Sequence, residues 1–425
     1  METGPPPPGP TMTRTERTYY LVSGGYNLAQ FFLVPVYPLF LLSRGLDLFQ
    51  VGVVLAVYLI TVFCFEIPTG AVADRFGRKV SFVSACVVRT GAFALYAFAT
   101  SFADCLVAEV IDAIGTTLAS GALDAWAVDG VRAEGDRRPP DRMFARAQVI
   151  AHTTMIGGGI TCAYVAEAAI ERPWLVAAAI FGTTGLVAAL VMREAPTAVA
   201  RGRHASLAAN TRAAVAAVRG SAPLQLLCFL TAANSFALFP VWQYWQPRIF
   251  ALGGGSPSVT GWVLALINLA ALVGSALLPR LLGRAERSTV LCAAGLWRSL
   301  FVGLAGSTGR FGPTVAALAL QATGSGLTDP VLAAWTNEHV GSGQRATVLS
   351  IRSTFFTFGG AAGLVLLGIV ARAAGIPTAW TLAAAVLALA ASGYLVLGRI
   401  ARVSVRTLDV EILSPPAKTI GPVVG

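Results

Sequence analysis

Charged side chains are scarce in this chain of 425 residues. Asp, Glu, Lys and Arg make up 12% of the sequence, and the mean hydropathy is +0.69. Soluble proteins carry about 25% charged residues. A soluble chain of this length would need polar surface for several domains, and this sequence does not contain enough polar residues for that. The chain is therefore predicted to be solvated by lipid.

Residues that would point to enzymatic chemistry are also few. The chain has three histidines, and its six cysteines fall singly in apolar stretches, without a CxxC pair. The sequence contains neither a GxxxxGK[ST] phosphate loop nor an HExxH motif. No enzyme, cofactor or metal site is therefore predicted, and direct use of ATP is not expected. Residues 1–17 are rich in proline and lack the apolar core of a signal peptide, so they are expected to form a disordered tail.

Long apolar runs fill most of the remaining sequence. A helix needs about 20 mostly apolar residues to cross about 30 Å of hydrocarbon. Twelve runs meet this requirement, which predicts an all-α integral membrane protein with twelve transmembrane helices. The predicted helices span 18–42, 49–72, 80–100, 105–130, 144–170, 173–192, 223–246, 260–282, 288–306, 313–337, 346–371 and 378–398.

The division of the chain follows from these runs. Residues 18–192 and 223–398 are each predicted to form a six-helix bundle. The segment 193–222 is an amphipathic basic linker between them, and 399–425 is a tail. Twenty-three of the 31 Lys and Arg residues fall in the tails and even-numbered connections. Because cytoplasmic loops carry the excess of Lys and Arg, both tails are predicted to be cytoplasmic. The net charge of +10 then belongs to the inner membrane face, which favours anionic lipid over nucleic acid as its partner.

The two predicted bundles are related in sequence. A shift of 209 positions places GVVLAV at 52–57 over GWVLAL at 261–266. The same shift pairs Arg75 with Arg284, Arg78 with Arg287, Arg89 with Arg298, Gly115 with Gly324, and Asp129 with Glu338. Two parallel repeats are typical of secondary transporters, whose substrate site lies between the repeats near the membrane midplane.

A cluster of charged residues separates the second apolar run from the third, where residues 65–81 read FEIPTGAVADRFGRKVS. Its distinctive residues are Gly70, Asp74, Arg75, Gly77, Arg78 and Lys79. This stretch resembles the loop motif between helices two and three of the major facilitator superfamily, and the resemblance extends over all twelve helices. Residues 66–69, 120–126 and 345–350 further resemble a bacterial drug-efflux-like branch. The resemblance implies the major facilitator fold, with two pseudo-symmetric six-helix bundles.

The motif is expected to form a gate at the cytoplasmic face. The resemblance places Asp74 against the N-terminus of helix eleven in the outward-open state, where the positive helix end would attract a carboxylate. Either Arg75 or Arg78 would pair with Asp129 at the end of helix four. The alternative is that these charges only mark a cytoplasmic loop.

Several carboxylates and arginines are predicted within the membrane. Arg89 and Arg298 lie near the midplane, where a charge is costly and needs a partner. Arg298 matches Asp329 in depth, and Arg89 can reach either Asp112 or Asp124. Asp112, then Glu66 and then Asp329 are candidate proton carriers, and the alternative for each is a static structural ion pair. Glu109 lies nearer the outer surface and is expected to be only hydrated.

Polar and aromatic side chains at cavity depth suggest the kind of substrate. These candidate cavity residues are Asn27, Gln30, Thr116, Asn234, Trp242, Gln321 and Ser325. A cavity of amides and aromatic rings with few fixed charges suits amphipathic organic molecules better than sugars or phosphates.

The expected function is secondary active transport by alternating access, in the form of proton-coupled export. The expected partners are a small-molecule substrate, protons and the bilayer of the inner cell membrane, with the chain acting as a monomer. The helix-four Arg and the helix-five Gly-Pro signature of the drug antiporters are missing from 111–115 and 157–159. Proton-coupled import of a small metabolite and a non-transporting membrane sensor therefore remain alternatives.

Overall fold

The computed structural model describes residues 12–194, 215–216, 218–339 and 345–413. Within these ranges the chain folds into α-helices joined by short turns, and no strand occurs. The helices are α1 (Arg14–Phe32), α2 (Tyr37–Ser43), α3 (Leu48–Phe76), α4 (Arg78–Ala97), α5 (Phe102–Ala119), α6 (Ala122–Ala133), α7 (Asp141–Ala168), α8 (Arg172–Val191), α9 (Ala222–Leu252), α10 (Pro257–Leu282), α11 (Arg287–Ser307), α12 (Phe311–His339) and α13 (Arg345–Leu413).

Their lengths and composition fit twelve membrane crossings. Nine segments of the described chain are long and apolar enough to cross a membrane, or ten when the bent pair α1–α2 counts as one span. One of these, Val348–Ile400, has 53 residues, which is enough for two crossings. The 29-residue α12 provides one more. These spans confirm the predicted all-α, twelve-helix membrane fold.

Capping side chains begin several of the helices. Thr13 forms a capping box with Glu16 at the start of α1, and Asp47 forms one with Gln50 at the start of α3. In each box the cap side chain accepts a hydrogen bond from the backbone N–H of the third helical residue. The side chain of that residue accepts one from the backbone N–H of the cap residue. Helix α1 begins at Arg14, so the last four residues of the predicted disordered tail are helical. Most of the linker, most of the N-terminal tail and the end of the C-terminal tail lie outside the described residues.

Two predicted helices are each interrupted. The first span bends by 42° between α1 and α2, at a break that includes Pro35, whose missing N–H prevents a continuous helix. The fourth span breaks at Ser120–Gly121, where Gly121 has φ +68°, a left-handed conformation that favours glycine. The predicted spans over 18–42 and 105–130 are thus present, but each contains a break that the sequence did not predict. Helices eleven and twelve follow one another within α13 and are separated at Gly375, with φ +84°.

The helices form two groups, α1–α8 and α9–α13, which contact each other along two seams. One seam joins α3 to α13, the other joins α7 to α10, and α2 also touches α9. We call the end of the molecule that carries Thr13, Gly77 and Glu194 the linker face, and the end that carries Gly45, Ala169 and Gly254 the opposite face. This arrangement places residues from both groups around the middle of the molecule.

Candidate functional site

A buried ion pair joins α4 to α5 in the centre of the first helix group. Arg89 Nε donates to Asp112 Oδ1 at 2.7 Å, and Arg89 Nη2 donates to Oδ2 at 3.2 Å. The side chains are only 2% and 9% exposed. Arg89 Nη1 donates to Tyr26 Oη at 2.9 Å and to Gln30 Oε1 at 3.0 Å. The guanidinium is thus satisfied within the bundle, as a charge at this depth requires.

This pair resolves the two alternatives for Arg89 in favour of Asp112. Asp124 lies beyond the break at Gly121, on α6, and instead accepts a hydrogen bond from Tyr19 Oη at 2.7 Å. Thr116, a predicted cavity residue on α5, accepts a hydrogen bond from Tyr58 Oη at 3.1 Å.

Glycine makes room for the arginine in both halves of the chain. A Cβ at Gly115 would lie 2.5 Å from Arg89 Cγ, and one at Gly324 would lie 2.4 Å from Arg298 Cγ. Such contacts are shorter than real Cβ atoms allow. The two glycines and the two arginines are each 209 positions apart, so the sequence repeat corresponds to the same packing in both helix groups.

Glu109 is the residue whose environment differs most from its expected one. It is 3% exposed, and the hydroxyls of Tyr37 and Tyr96 both lie within hydrogen-bonding distance of its Oε2. The Tyr96 ring stacks on Trp174 with the ring centroids 4.1 Å apart. The expectation that Glu109 is merely hydrated was wrong. Its spacing of three residues from Asp112 placed both carboxyls on one helix face, but nothing local pointed to Tyr37.

A cavity of about 340 Å³ lies between the two helix groups. Its polar and aromatic lining comes from both groups and includes Gln30, Tyr58, Arg89, Glu109, Asp112, Trp242 and Gln246. Trp242 is 37% exposed. Gln246 Nε2 donates to the carbonyl of Val34 at 3.0 Å and so links α9 to the break between α1 and α2. Two predicted cavity residues, Gln30 and Trp242, are thus found in one cavity.

A second cavity, of about 370 Å³, lies nearer the linker face within the first group. Asn27 lines it together with Tyr26 and Asp124. The Asn27 amide donates to the carbonyl of Ser23 at 2.8 Å. Asn27 and Gln30 therefore lie beside different cavities, although both belong to α1.

The other predicted cavity residues of the second helix group do not line either of these cavities; they are Asn234, Gln321 and Ser325. Asn234 donates to Leu230 O at 2.8 Å and to Tyr394 Oη at 3.1 Å. Gln321 is buried, and its Nε2 finds no hydrogen-bond partner in the described part of the chain. Ser325 is half-buried, and Arg298 is 3% exposed. The side chain of Asp329 lies outside the described residues, so its expected pairing with Arg298 stays a prediction.

The charged motif at the linker face is organised by two acceptors. Arg78 pairs with Asp129 and also donates to the carbonyl of Ala125 at 2.5 Å. Glu194, which the sequence reasoning missed, accepts from the backbone N–H groups of Arg78 at 2.8 Å and Lys79 at 3.0 Å. Its carboxylate therefore caps the N-terminus of α4, where a negative charge is favourable. Of the two expected partners of Asp129, Arg75 and Arg78, the structure pairs it with Arg78.

The other motif residues point away from this cluster. Asp74 and Arg75 are exposed, and the Arg75 guanidinium lies 5.3 Å from the centroid of the Phe76 ring. Gly77 has φ +95°, and a Cβ there would lie 3.1 Å from Glu194 Oε1. A Cβ at Gly70 would meet nothing within 4 Å. Glu66 is also exposed, so this candidate proton carrier is not enclosed in the present conformation.

Contacts between the two groups are concentrated toward the opposite face. Beside the α3–α13 seam, Tyr244 Oη of α9 donates to the carbonyl of Leu48 at 3.1 Å, and in the seam Arg372 lies 3.6 Å from Asp47. In the α7–α10 seam, Glu167 accepts from Ser256 Oγ and, at 3.0 Å, from the backbone N–H of Ser258.

These hydrogen bonds and this ion pair close the molecule at the opposite face.

These features match a known family. The sequence profile of the Major Facilitator Superfamily matches residues 19–253 and 226–416, and the chain belongs to this superfamily. It is a multi-pass membrane protein and a secondary transporter of this type.

Individual relatives share sequence or fold with the chain. YxaM of Bacillus subtilis (strain 168), described as an uncharacterized MFS-type transporter, is 25% identical over 370 residues, or 84% of this chain and 90% of that protein. The nucleoside transporter NupG has a similar structure, with a TM-score of 0.77, 12% identity and coverage of 91% of this chain and 99% of that chain. The POT family transporter PepTSo reaches 0.71 at 12% identity, covering 93% and 99%.

Proposed function

We propose that the chain is a proton-coupled exporter of small amphipathic organic molecules that works by alternating access. The observation that carries this proposal is the cavity between two repeated helix groups that are joined at the opposite face. A rocking motion about such a cavity exposes it to each side of the membrane in turn. The division into bundles at 18–192 and 223–398, with 193–222 as the linker, is part of the proposal.

The positive-inside rule gives the orientation that we propose. Both termini and the linker face are then cytoplasmic, in the inner membrane of the cell, and the present conformation is open to the inside. Arg78 and Asp129 both belong to the first group, so their ion pair persists through the cycle. Asp74 and Gly70 are free in this state. When the linker face closes, they meet the start of helix eleven and latch the inner gate.

The proton route runs through buried carboxyls near the cavity. Asp112, Glu66 and Asp329 are the candidates from the sequence. The Arg89–Asp112 pair is supported by its burial and by the neutral partners Tyr26 and Gln30. Those neutral partners can hold Arg89 while Asp112 takes up or releases a proton. This is the condition for proton exchange at a paired acid.

The cavity lining supports an amphipathic substrate. Trp242 and Tyr58 offer ring faces, Gln30 and Gln246 offer amides, and the one arginine is already bound by a carboxylate. A site of this kind is mainly apolar with a few polar groups that orient the ligand. The chain is proposed to perform this transport as a monomer.

Growth inhibition tests the direction and the substrate together. Cells with and without the expressed chain are grown against a panel of amphipathic compounds, and protection by the wild type but not by a Gly115→Phe variant supports export. Everted vesicles with an acidic lumen then report whether a protecting compound releases protons. Sensitisation instead of protection would indicate import, and ligand binding without flux in proteoliposomes would indicate a sensor.

A further inference from the structure

Three oxygen atoms from three helices meet beside the cavity. They are Oε2 of Glu109 on α5, Oη of Tyr37 on α2 and Oη of Tyr96 on α4. Both hydroxyls lie within hydrogen-bonding distance of Oε2, and the two hydroxyls are 2.8 Å from each other. All three edges of this triangle, which we call the Glu109 triad, therefore have the length of a hydrogen bond.

Counting hydrogens decides the protonation state of the triad. An ionised Glu109 leaves two hydroxyl hydrogens for three edges, so one pair of oxygens would face each other without a hydrogen between them. A protonated carboxyl supplies the third hydrogen, and each oxygen then donates once and accepts once around the ring. We propose that Glu109 carries a proton in this conformation and that it joins the carboxyls of the proposed proton route, its proton being coupled to transport.

The surrounding charges support a neutral Glu109. On its own helix lie Asp112 and the buried Cys105, and Tyr58 faces the same cavity from α3. The nearby cation is Arg89 of α4, which already forms a two-bond pair with Asp112. An ionised Glu109 would thus be a second buried carboxylate beside a cation that is already neutralised. Burial of such a charge is costly, and protonation removes the charge.

The fold also provides a way to release the proton. Tyr37 begins α2, directly after the break in the first span, and Gln246 of the second group binds the carbonyl of Val34 within that break. Movement of the second group therefore displaces the segment that positions Tyr37. Loss of the Tyr37 contact opens the ring, the O–H bond of Glu109 breaks, and the proton passes to water in the cavity. Uptake reverses this transfer.

Infrared spectroscopy of the purified protein in dodecyl maltoside, a detergent without a carbonyl group, tests the protonation without any substrate. The expected result near neutral pH is the carbonyl stretch of a protonated carboxylic acid, lost in Glu109→Gln and kept in Glu66→Gln, whose carboxyl is exposed. In Tyr37→Phe the same band should shift in frequency, because one hydrogen bond of the ring is gone. A band that persists in Glu109→Gln, or its absence from the wild type, would overturn the assignment.

The coupling role rests on the proposed function and has its own readout. With a compound that the wild type transports, Glu109→Gln should lose gradient-driven accumulation to a much greater extent than exchange between equilibrated compartments. Equal loss of both would refute coupling at Glu109. If the wild type moves no compound, the proposed function fails, while the infrared band still decides whether Glu109 holds a proton.

Discussion

Gly52 is the position at which a single methyl group should redistribute the conformations of this transporter. It lies in the half of α3 nearer the opposite face, against α13 of the other helix group. A Cβ at Gly52 would lie 2.3 Å from the carbonyl oxygen of Leu364 and 2.8 Å from Tyr244 Oη. The first of these is a backbone atom and cannot rotate away. Gly52→Ala therefore forces the α3–α13 seam apart by about 1 Å to reach an ordinary contact of 3.4 Å.

The size of the effect follows from overpacking. Insertion of a methylene into a well-packed region costs about 1–3 kcal/mol, and this cost applies only while the seam is closed. Since about 1.4 kcal/mol corresponds to a factor of ten, the ratio of the present conformation to the outward-open one should fall roughly 5- to 150-fold. Gly70→Ala should act in the opposite direction, because Gly70 has open space now and is buried only in the proposed closed inner gate.

Distances between spin labels at the linker face measure this ratio. Labels at Val80 of α4 and Arg280 of α10, both exposed, report the separation of the two groups after the native cysteines are replaced. Gly52→Ala should enrich the short-distance population. Gly91→Ala is the matched control, because a Cβ there meets nothing within 4 Å. If Gly52→Ala and Gly91→Ala give the same distance distribution, the seam is not a gate and the reasoning is wrong.

Three further predictions concern carboxylates. Glu167→Gln weakens the cap on α10 across the second seam. Loss of about 1 kcal/mol should change the population ratio, measured with the same labels, roughly fivefold toward the outward-open state. An unchanged distance distribution would contradict a gating role. Glu194→Ala removes the cap of α4 and should lower stability by about 0.5–2 kcal/mol, seen as a lower melting temperature of the purified protein, whereas an unaltered melting temperature would show that the cap is dispensable. Asp112→Asn leaves Arg89 buried without its carboxylate and should lower the free energy of unfolding by about 3–5 kcal/mol. The Arg89→Gln/Asp112→Asn double variant should recover part of this loss. Equal stability of the single variant and the wild type would argue against a buried pair.

Local and periodic features of the sequence were sufficient for the membrane class, the twelve spans and the repeat. Apolar runs of about 20 residues have few alternatives to a membrane helix, because the backbone must satisfy its own hydrogen bonds in lipid. The shift of 209 positions correctly related Arg89 to Arg298 and Gly115 to Gly324, as their equivalent packing shows. The breaks at Pro35 and Gly121 were missed, because a long apolar run masks a local interruption in the helix.

The sequence by itself therefore determined that this chain spans a membrane as two repeated halves, because hydropathy and repetition are properties of residues along the chain. Only the tertiary structure decided which charges meet. It chose Asp112 over Asp124 for Arg89, brought Glu194 to the start of α4 and enclosed Glu109 between Tyr37 and Tyr96. These contacts join helices distant in sequence, and the rotation of each helix about its axis, which aims the side chains, is set by packing against its neighbours.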